Sequence, residues 1–283
     1  NDNYAGTIST SIIGRSIESD NSFADSAKVD KTLTVSPVAD APSASSSNVD
    51  VSNGVEDAAI GSGNTAKIRV KADLTDTDGS EQLSIILKLP SDVSGATFVP
   101  SSGSAVTGTV VTNLSGYDGQ RVVSFDVASG QEKTGKFEFE LSMASHFSGT
   151  ASIDVIARST DGSDTEDTSV GTHSVTVTPV ADAPTSPSVT VEAGSEDQLD
   201  PSGAADPARL NVSMTFPDAS EGHFVIVVVD SNAKGVTYNG VTKSPSTESL
   251  NPSELTGITN IDGIDANSKA VRFEVNASAD GSF

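Results

Sequence analysis

Short segments in which apolar and polar residues alternate run along the whole chain. The alternation is clear in residues 67–71, 121–127 and 137–141, and a period of two places apolar side chains on one face of a β-strand. Residues 83–89 and 224–229 are nearly continuous apolar runs, which predicts strands near the middle of a core. No segment keeps the 3.6-residue period of a helix for three turns, so the chain is predicted to be all-β.

The sequence repeats itself with a period of about 140 residues. The segment TVSPVADAP at 34–42 recurs as TVTPVADAP at 176–184, an offset of 142. Three further matches follow in the same order at an offset of 140: ED at 56–57 with ED at 196–197, DGSE at 78–81 with DASE at 218–221, and GATF at 95–98 with GVTY at 235–238. Before the linkers, YAGT at 4–7 with Arg15 matches FSGT at 147–150 with Arg158, an offset of 143.

These matches predict the domain organisation. The chain is expected to contain the C-terminal strands of a partial repeat (1–36), a linker (37–42), a complete repeat (43–178), a second linker (179–184) and the N-terminal part of a further repeat (185–283). The two partial repeats stop and start at about the same place in the repeat. Arbitrary fragment boundaries, an inserted foreign domain and fragments that complement each other all remain open. In each case a partial repeat should leave a strand edge unpaired unless something covers it.

Seven to nine strands are expected in each repeat, because Gly, Asn, Asp, Ser and Pro interrupt the segments about every ten residues. That number predicts tandem β-sandwich domains of immunoglobulin-like type. The chain has no Cys and no Trp, so the Cys–Trp–Cys pattern of antibody domains is absent. The linkers are short and bracketed by Pro, which favours extended backbone. Neighbouring sandwiches are therefore expected end to end, as a rod.

Composition excludes several classes of function. The chain carries 16 Lys and Arg against 39 Asp and Glu, a formal net charge of −23, whereas nucleic acid and anionic membranes require a basic face. The absence of Cys removes disulfides, thiolate zinc sites and thiol catalysis. No apolar run approaches the length of a membrane span. We therefore expect neither a nucleic-acid partner nor membrane insertion.

Acidic residues cluster in the segment DLTDTDGSE at 73–81. Calcium takes six to eight oxygen ligands from carboxylates, carbonyls and water, and a group of carboxylates repels itself unless a cation lies among them. Asp76 and Asp78 point to the same side of an extended segment, and Glu81 beyond the turn could bind bidentately. The alternative is a solvated hairpin turn, because Asp-Gly is also a turn signal.

The recurrence of acidic residues at matching places favours calcium over a plain turn. Two of them, Asp40 and Asp182, stand in the linkers, and a second acidic loop occupies residues 161–167. The candidate metal ligands are Asp40, Glu56, Asp57, Asp76, Asp78, Glu81, Asp161, Asp164, Asp182, Glu196, Asp197, Asp218 and Glu221. At least one Ca²⁺ is expected at each junction. Phe216 stands where Asp76 stands one repeat earlier, so the third repeat lacks one ligand.

The linker PVADAP, the pair Glu56-Asp57 and TDTDGSE at 75–81 followed by an apolar strand and Leu89-Pro90 resemble the cadherin-like repeats of giant RTX adhesins. Such adhesins are exported by type I secretion from Gram-negative bacteria. The DAP of the linker is also similar to the calcium-binding linkers of cadherins. The resemblance covers essentially the whole chain. It implies a segment at the bacterial cell surface, folded outside the cell where calcium is millimolar.

Three functions follow for comparison. The resemblance implies a calcium-stiffened extender that projects a binding head for cell adhesion or biofilm formation, with calcium ions and neighbouring repeats of the same polypeptide as partners. The second reading is a split domain or a module that binds a peptide or sugar ligand, although Trp is absent and the three Tyr are isolated. The third, an enzyme, is not expected, because the three His lie in separate segments with no nucleophile motif beside them.

Overall fold

The computed structural model describes residues 4–76, 79–100, 104–127, 136–196, 205, 207–229, 236–238, 241–243, 269–275 and 278–282. These residues form strands and turns, and none of them lies in an α-helix, so the predicted all-β class is confirmed. No helix in this part of the chain is long and apolar enough to cross a membrane. The chain divides into two compact units, Asn1–Val180 and Ala181–Phe283, and the division falls inside the predicted second linker.

The first unit contains fourteen strands in its described residues. They are β1 (Gly6–Ile12), β2 (Arg15–Ile17), β3 (Phe23–Asp25), β4 (Val29–Val35), β5 (Ser43–Ser52), β6 (Gly54–Val55), β7 (Lys67–Asp73), β8 (Gln82–Lys88), β9 (Val93–Val99), β10 (Val106–Thr107), β11 (Val122–Asp126), β12 (Phe137–Met143), β13 (Gly149–Asp161) and β14 (Asp164–Thr178). Strands β1 and β4 form one antiparallel hairpin, extended by the pair β2–β3. The predicted complete repeat contains β5 to β14.

Two five-stranded sheets form a sandwich in the complete repeat. Their strand orders are β10-β9-β12-β7-β5 and β11-β8-β13-β14-β6. The alternation seen in the sequence places one set of apolar side chains from each sheet in a common core. From the first sheet these are Ile68, Val70, Phe98, Phe139 and Leu141, and from the second Leu83, Ile85, Leu87, Phe125, Ile153, Val155 and Val175. Four Phe rings, at 98, 125, 137 and 139, contact one another at the centre.

Strand β8 is buried on both faces, which explains its nearly continuous apolar sequence. Leu83, Ile85 and Leu87 face the main core. Ile86 faces outward, but it lies in a second cluster with Val122 and Ile156, covered by residues of the 108–121 loop. A strand covered on both sides has no need of polar positions.

The longest elements of the sandwich form the hairpin β13–β14. These strands pair antiparallel from Gly149↔Val177 to Asp161↔Asp164, with a register shift at Val155/Ile156. Gly162 turns the chain with a φ of +62°, a conformation that glycine adopts without strain. The 15 residues of β14 extend about 50 Å at the rise of a strand. This one strand therefore runs the length of the sandwich.

The second unit contains seven strands in its described residues. They are β15 (Thr185–Glu192), β16 (Arg209–Thr215), β17 (His223–Val229), β18 (Val236–Tyr238), β19 (Val241–Lys243), β20 (Lys269–Val275) and β21 (Ser278–Ser282). The sheet orders are β15-β16-β21, β17-β20 and β18-β19. Five buried side chains form its core: Phe216, Val225, Val227, Phe273 and Val275.

Candidate metal centre

The first linker is fixed to the sandwich that follows it. Ala39 and Pro42 are buried although they lie in an extended connection. The hydroxyl of Thr75 donates to the carbonyl of Ala41 over 3.1 Å, and that of Thr168 donates to the carbonyl of Pro42 over 2.7 Å. Two hydroxyls, one just after β7 and one near the start of β14, therefore bind successive carbonyls of the linker.

Acidic side chains bind the backbone amides of the same linker. Glu81 Oε1 accepts from the amide of Asp40 over 2.6 Å, and Asp164 Oδ2 accepts from the amide of Ala39 over 3.1 Å. Next to them, the Ser80 hydroxyl donates to the carboxylate of Asp161 over 3.4 Å. The hairpin turn that carries Asp161 and Asp164 thus lies beside the turn that carries Glu81. Sequence positions far apart converge on one end of the sandwich.

Three of the predicted ligands form one group. Asp40, Asp76 and Glu81 each offer a carboxylate oxygen, and these oxygens all lie within 4.8 Å of one another. Asp76 and Glu81 are 5% and 9% exposed, while Asp40 is open to solvent. Glu81 Oε2 is buried and has no hydrogen-bond partner among the described residues. Burying a carboxylate oxygen without a partner is unfavourable, so this atom could serve as a ligand to a cation.

The donor set fits calcium. All three side chains are carboxylates, with no thiolate or imidazole among them, and hard oxygen donors suit calcium and magnesium more than zinc. The exposed side of the group at Asp40 leaves room for water to complete a shell of six to eight ligands. Asp78, predicted to share this site, lies outside the described residues.

The pair Glu56-Asp57 lies at the other end of the sandwich, beside the second linker. Glu56 Oε2 accepts from the amide of Val180 over 2.9 Å, and Glu56 Oε1 is buried without a described partner. Asp57 accepts from the backbone amide of His146 over 3.0 Å and lies 3.1 Å from its Nδ1. Glu56 and Asp57 follow the first linker in the sequence, but in the fold they lie beside the second linker.

The second unit repeats the anchor of the linker without the carboxylate group. Glu221 accepts from the amide of Asp182 over 3.2 Å, as Glu81 does from Asp40. Phe216, at the position of Asp76, is buried and stacks on His223 with ring centroids 4.4 Å apart. Among this unit's described residues, no three acidic or histidine side chains converge.

The other acidic residues predicted in this unit have different surroundings. Asp218 is buried, and its two oxygens accept from the amide and the hydroxyl of Ser220 over 2.7 and 2.8 Å. Glu196 is exposed. Asp197 lies outside the described residues.

Sequence reasoning missed an ion pair between strands β13 and β14, which joins the buried Arg158 to Asp167, whose side chain is 32% exposed. Arg158 Nε and a terminal nitrogen donate to Asp167 over 2.7 and 2.9 Å, and the Tyr117 hydroxyl donates to the same carboxylate over 2.8 Å. Burial acts to raise the pKa of Asp167, but these hydrogen bonds outweigh it and hold the pKa below its usual value. Burial, together with Asp167, raises the pKa of Tyr117 to about 12. The Asp167 carboxylate is therefore already paired with Arg158 and Tyr117.

Comparison with known proteins adds little. No protein-family model matches the chain, and no curated protein matches it. Among solved structures, the collagen-binding subdomain ACE19 of the Enterococcus faecalis surface protein ACE is 13% identical with a TM-score of 0.22, covering 42% of this chain and 91% of that one.

The C-terminal domain of the Streptococcus agalactiae AgI/II polypeptide BspA is 10% identical with a TM-score of 0.25, covering 86% of this chain and 88% of that one. TM-scores this low carry no functional inference. The fold and the acidic group place the chain in a general class, that of tandem β-sandwich repeats whose acidic side chains lie close together at a linker.

Proposed function

We propose that Asp40, Asp76 and Glu81 bind Ca²⁺ and that the ion fixes the first linker to the sandwich. The observation that carries this proposal is the buried, unpartnered Oε2 of Glu81, next to two further carboxylates. On this basis the chain serves as a calcium-stiffened extender, a structural part of a larger surface protein. No catalytic role is proposed.

The proposed ion acts through a side chain that already contacts the linker. One oxygen of Glu81 accepts from the Asp40 amide, and the other is available to a cation. Asp40 would contribute its own carboxylate from the linker. An ion held by both segments stabilises only the docked state, by RT ln(1 + [L]/Kd), or about 2.7 kcal/mol at a ligand concentration near 100 times Kd.

The wider role is proposed from the motif resemblance. The linker, the pair Glu56-Asp57 and the acidic turn at 75–81 resemble those of the cadherin-like repeats of RTX adhesins. The proposed setting is the bacterial cell surface, where calcium is abundant and a chain without Cys needs no disulfide oxidation to fold. Glu56 supports a second site of the same kind, because it too has one oxygen on a linker amide and the other buried without a described partner.

The test is thermal unfolding and small-angle X-ray scattering of the chain in calcium and in chelator. We expect a higher melting temperature and a longer, stiffer particle in calcium. Glu81→Gln should remove most of the calcium-dependent rise, since the neutral amide keeps the shape but loses the charge.

Asp118→Asn is the matched control, because Asp118 is an exposed acid in a loop outside the junction. It should keep the full calcium response. Identical melting and scattering curves in calcium and chelator for the unmodified chain would contradict the proposal.

A further inference from the structure

The complete repeat contains a cavity of about 280 Å³ at the end where β14 finishes. Residues of two loops line it, the loop 56–66 between β6 and β7 and the loop 144–148 between β12 and β13. All of its described lining belongs to the first unit. Protein interiors contain few voids larger than a water molecule. Ligand sites start at about 300 Å³, so this space suits a small ligand.

The walls of the cavity are aliphatic. Small side chains from the two loops leave the space open: Ala58, Ala59, Ala144 and Ser145. Behind them stand Leu141 and Val177, core residues that are each 1% exposed. No aromatic ring is among the lining residues that the structure describes, so a flat aromatic ligand finds nothing to stack on. An aliphatic chain in the cavity would remove apolar surface from water on both sides.

One buried polar atom of the lining has no partner. The Thr65 hydroxyl lies in the wall of the cavity, on a side chain that is 3% exposed. Its oxygen has no hydrogen-bond partner among the described residues. Burying a hydroxyl in this state is unfavourable, and a polar atom of a ligand would remove the penalty. The cavity therefore suits a ligand that is not purely hydrocarbon.

Asp57 brings a negative charge to the cavity. One of its oxygens accepts from the backbone amide of His146 over 3.0 Å, and the other lies 3.1 Å from the imidazole Nδ1. An ionised carboxylate accepts at about four positions, so these two contacts leave capacity for a donor from a ligand. The Asp57 side chain is 40% exposed, so a ligand can reach it from solvent.

No cation of the described lining balances this charge, since neither Lys nor Arg is among those residues. Lys67, which follows Thr65 and Ala66 in the sequence, is directed to Glu138 and Glu140 over 2.9 and 2.8 Å. The whole chain carries a formal net charge of −23. The potential at the cavity therefore attracts cations and repels anions.

We propose that this cavity binds a short aliphatic chain that ends in an ammonium group. The carbon chain packs against Leu141 and Val177, and the ammonium group donates to the carboxylate of Asp57. An ammonium group has three donors and no acceptor, which matches a site whose charged group is a carboxylate. A free alkylamine and the side chain of a Lys on another protein carry this same chemistry.

Titration of the whole chain with butylammonium tests the proposal by two-dimensional NMR. The backbone amides of residues 57–60 and 144–145 should shift together, with a Kd on the order of 1 mM for a ligand of five non-hydrogen atoms. Butanol has the same carbon chain without the charge and should bind about tenfold more weakly, because a hydrogen bond between charged groups is lost. Butyrate, with the opposite charge, should shift none of these amides.

Asp57→Asn removes the charge and keeps the local structure. Asn retains an oxygen for the His146 amide, and it readily adopts the left-handed backbone that Asp57 has, with a φ of 53°. Butylammonium should then bind about tenfold more weakly, whereas butanol should bind as before. Asp118→Asn, at an exposed acid outside the cavity, is the control and should leave both affinities unchanged.

Ala144→Leu fills the cavity with a larger side chain. It should abolish the binding of butylammonium and of butanol, while Ala105→Leu, at an exposed residue outside the cavity, should not affect either. Full binding to Ala144→Leu would show that the ligand lies elsewhere. Equal binding of butylammonium and butyrate, or no shift of the cavity amides at any concentration of butylammonium, would overturn the proposal without any variant.

A blocked lysine, Nα-acetyl-lysine amide, distinguishes the two sources of the ammonium group. Competition with butylammonium for the same amides would indicate the side chain of a partner protein, and no competition would indicate a free amine. Every titration contains chelator, so calcium at Glu81 takes no part in the result. Failure of these titrations would therefore leave the calcium proposal standing, and failure of the calcium proposal would leave this one.

Discussion

The two linker junctions share one contact and differ in what lies beside it. In both, a glutamate accepts a hydrogen bond from the amide of the linker aspartate, Glu81 from Asp40 and Glu221 from Asp182. Beside the first contact lies Asp76, a buried carboxylate. At the matching position of the second unit stands Phe216, which is buried and stacks on His223.

The difference between the junctions separates two roles of the acidic residues, which are docking the linker and binding a cation. Holding the linker requires only the glutamate and a backbone amide, and both junctions do this. Holding a cation requires further carboxylates, and at the first junction Asp76 and Asp40 lie beside Glu81. Phe216 takes the position of Asp76 in the second unit. There the packing of its ring stabilises the structure in place of a metal ion. A repeat can thus keep its linker geometry while it loses its ligand set.

The largest expected effect comes from Phe216→Asp. Phe216 belongs to the small core of the second unit, and loss of a buried Phe typically lowers the free energy of unfolding by about 3–5 kcal/mol. We expect this loss in chelator, measured by urea unfolding, and a partial recovery in calcium because the change restores a carboxylate beside Glu221.

The control for this prediction is Phe224→Asp, a change at a Phe that is 40% exposed in the same unit. It should cause a smaller loss and no recovery in calcium. Recovery in both variants, or in neither, would show that the Asp76 position does not distinguish the two junctions.

The next effect is expected from Asp76→Asn. This change removes a charge from the first junction with little change of shape, so the calcium-dependent stabilisation of about 2–3 kcal/mol should disappear. In chelator the variant should be at least as stable as the natural chain, because repulsion between neighbouring carboxylates falls. Calorimetric titration with calcium measures the first quantity, and thermal unfolding the second.

Asp218→Asn makes the same change of charge in the second unit, where Ser220 already occupies both oxygens. Calcium binding should be unaffected by it. A larger loss of calcium binding from Asp218→Asn than from Asp76→Asn would mean that the second unit, and not the first junction, holds the ion.

The smallest effect is expected from Thr168→Val, which removes the hydrogen bond to the Pro42 carbonyl. One such bond contributes about 1 kcal/mol. The amide of Ala39, in the docked linker, should then exchange with deuterium faster than in the natural chain. Thr185→Val, which removes a longer and exposed contact after the second linker, should leave that rate unchanged. No change in either variant would mean that hydroxyls do not hold the first linker.

Much of the fold follows from local patterns. The alternating segments at 67–71, 121–127 and 137–141 overlap strands β7, β11 and β12, and the apolar run at 83–89 overlaps β8. The complete repeat has eight strands of five residues or more and two of two residues, close to the seven to nine expected. These features could be predicted because strand periodicity is written into each segment separately.

The candidate site could be predicted only in part. The recurrence of acids pointed to Asp40, Asp76 and Glu81 and also to Glu56-Asp57, but it did not say at which junction Glu56-Asp57 would lie. Those two residues lie at the other end because β6 pairs in parallel with the end of β14, through Gly54↔Val177. That pairing joins residues more than a hundred positions apart, and no local pattern encodes it. Sequence reasoning likewise gave no partner to Asp167, which depends on the hairpin register that places Arg158 opposite.

Strand β14 has a mechanical consequence. It starts at Asp164, which accepts from the first linker at Ala39, and ends at Thr178, where the second linker leaves. A pull along the chain therefore acts along this strand, so its thirteen cross-strand partners on β13 are loaded in shear together and do not open one after another. Tension applied at a linker should break the hydrogen bonds that dock it well before the sandwich yields.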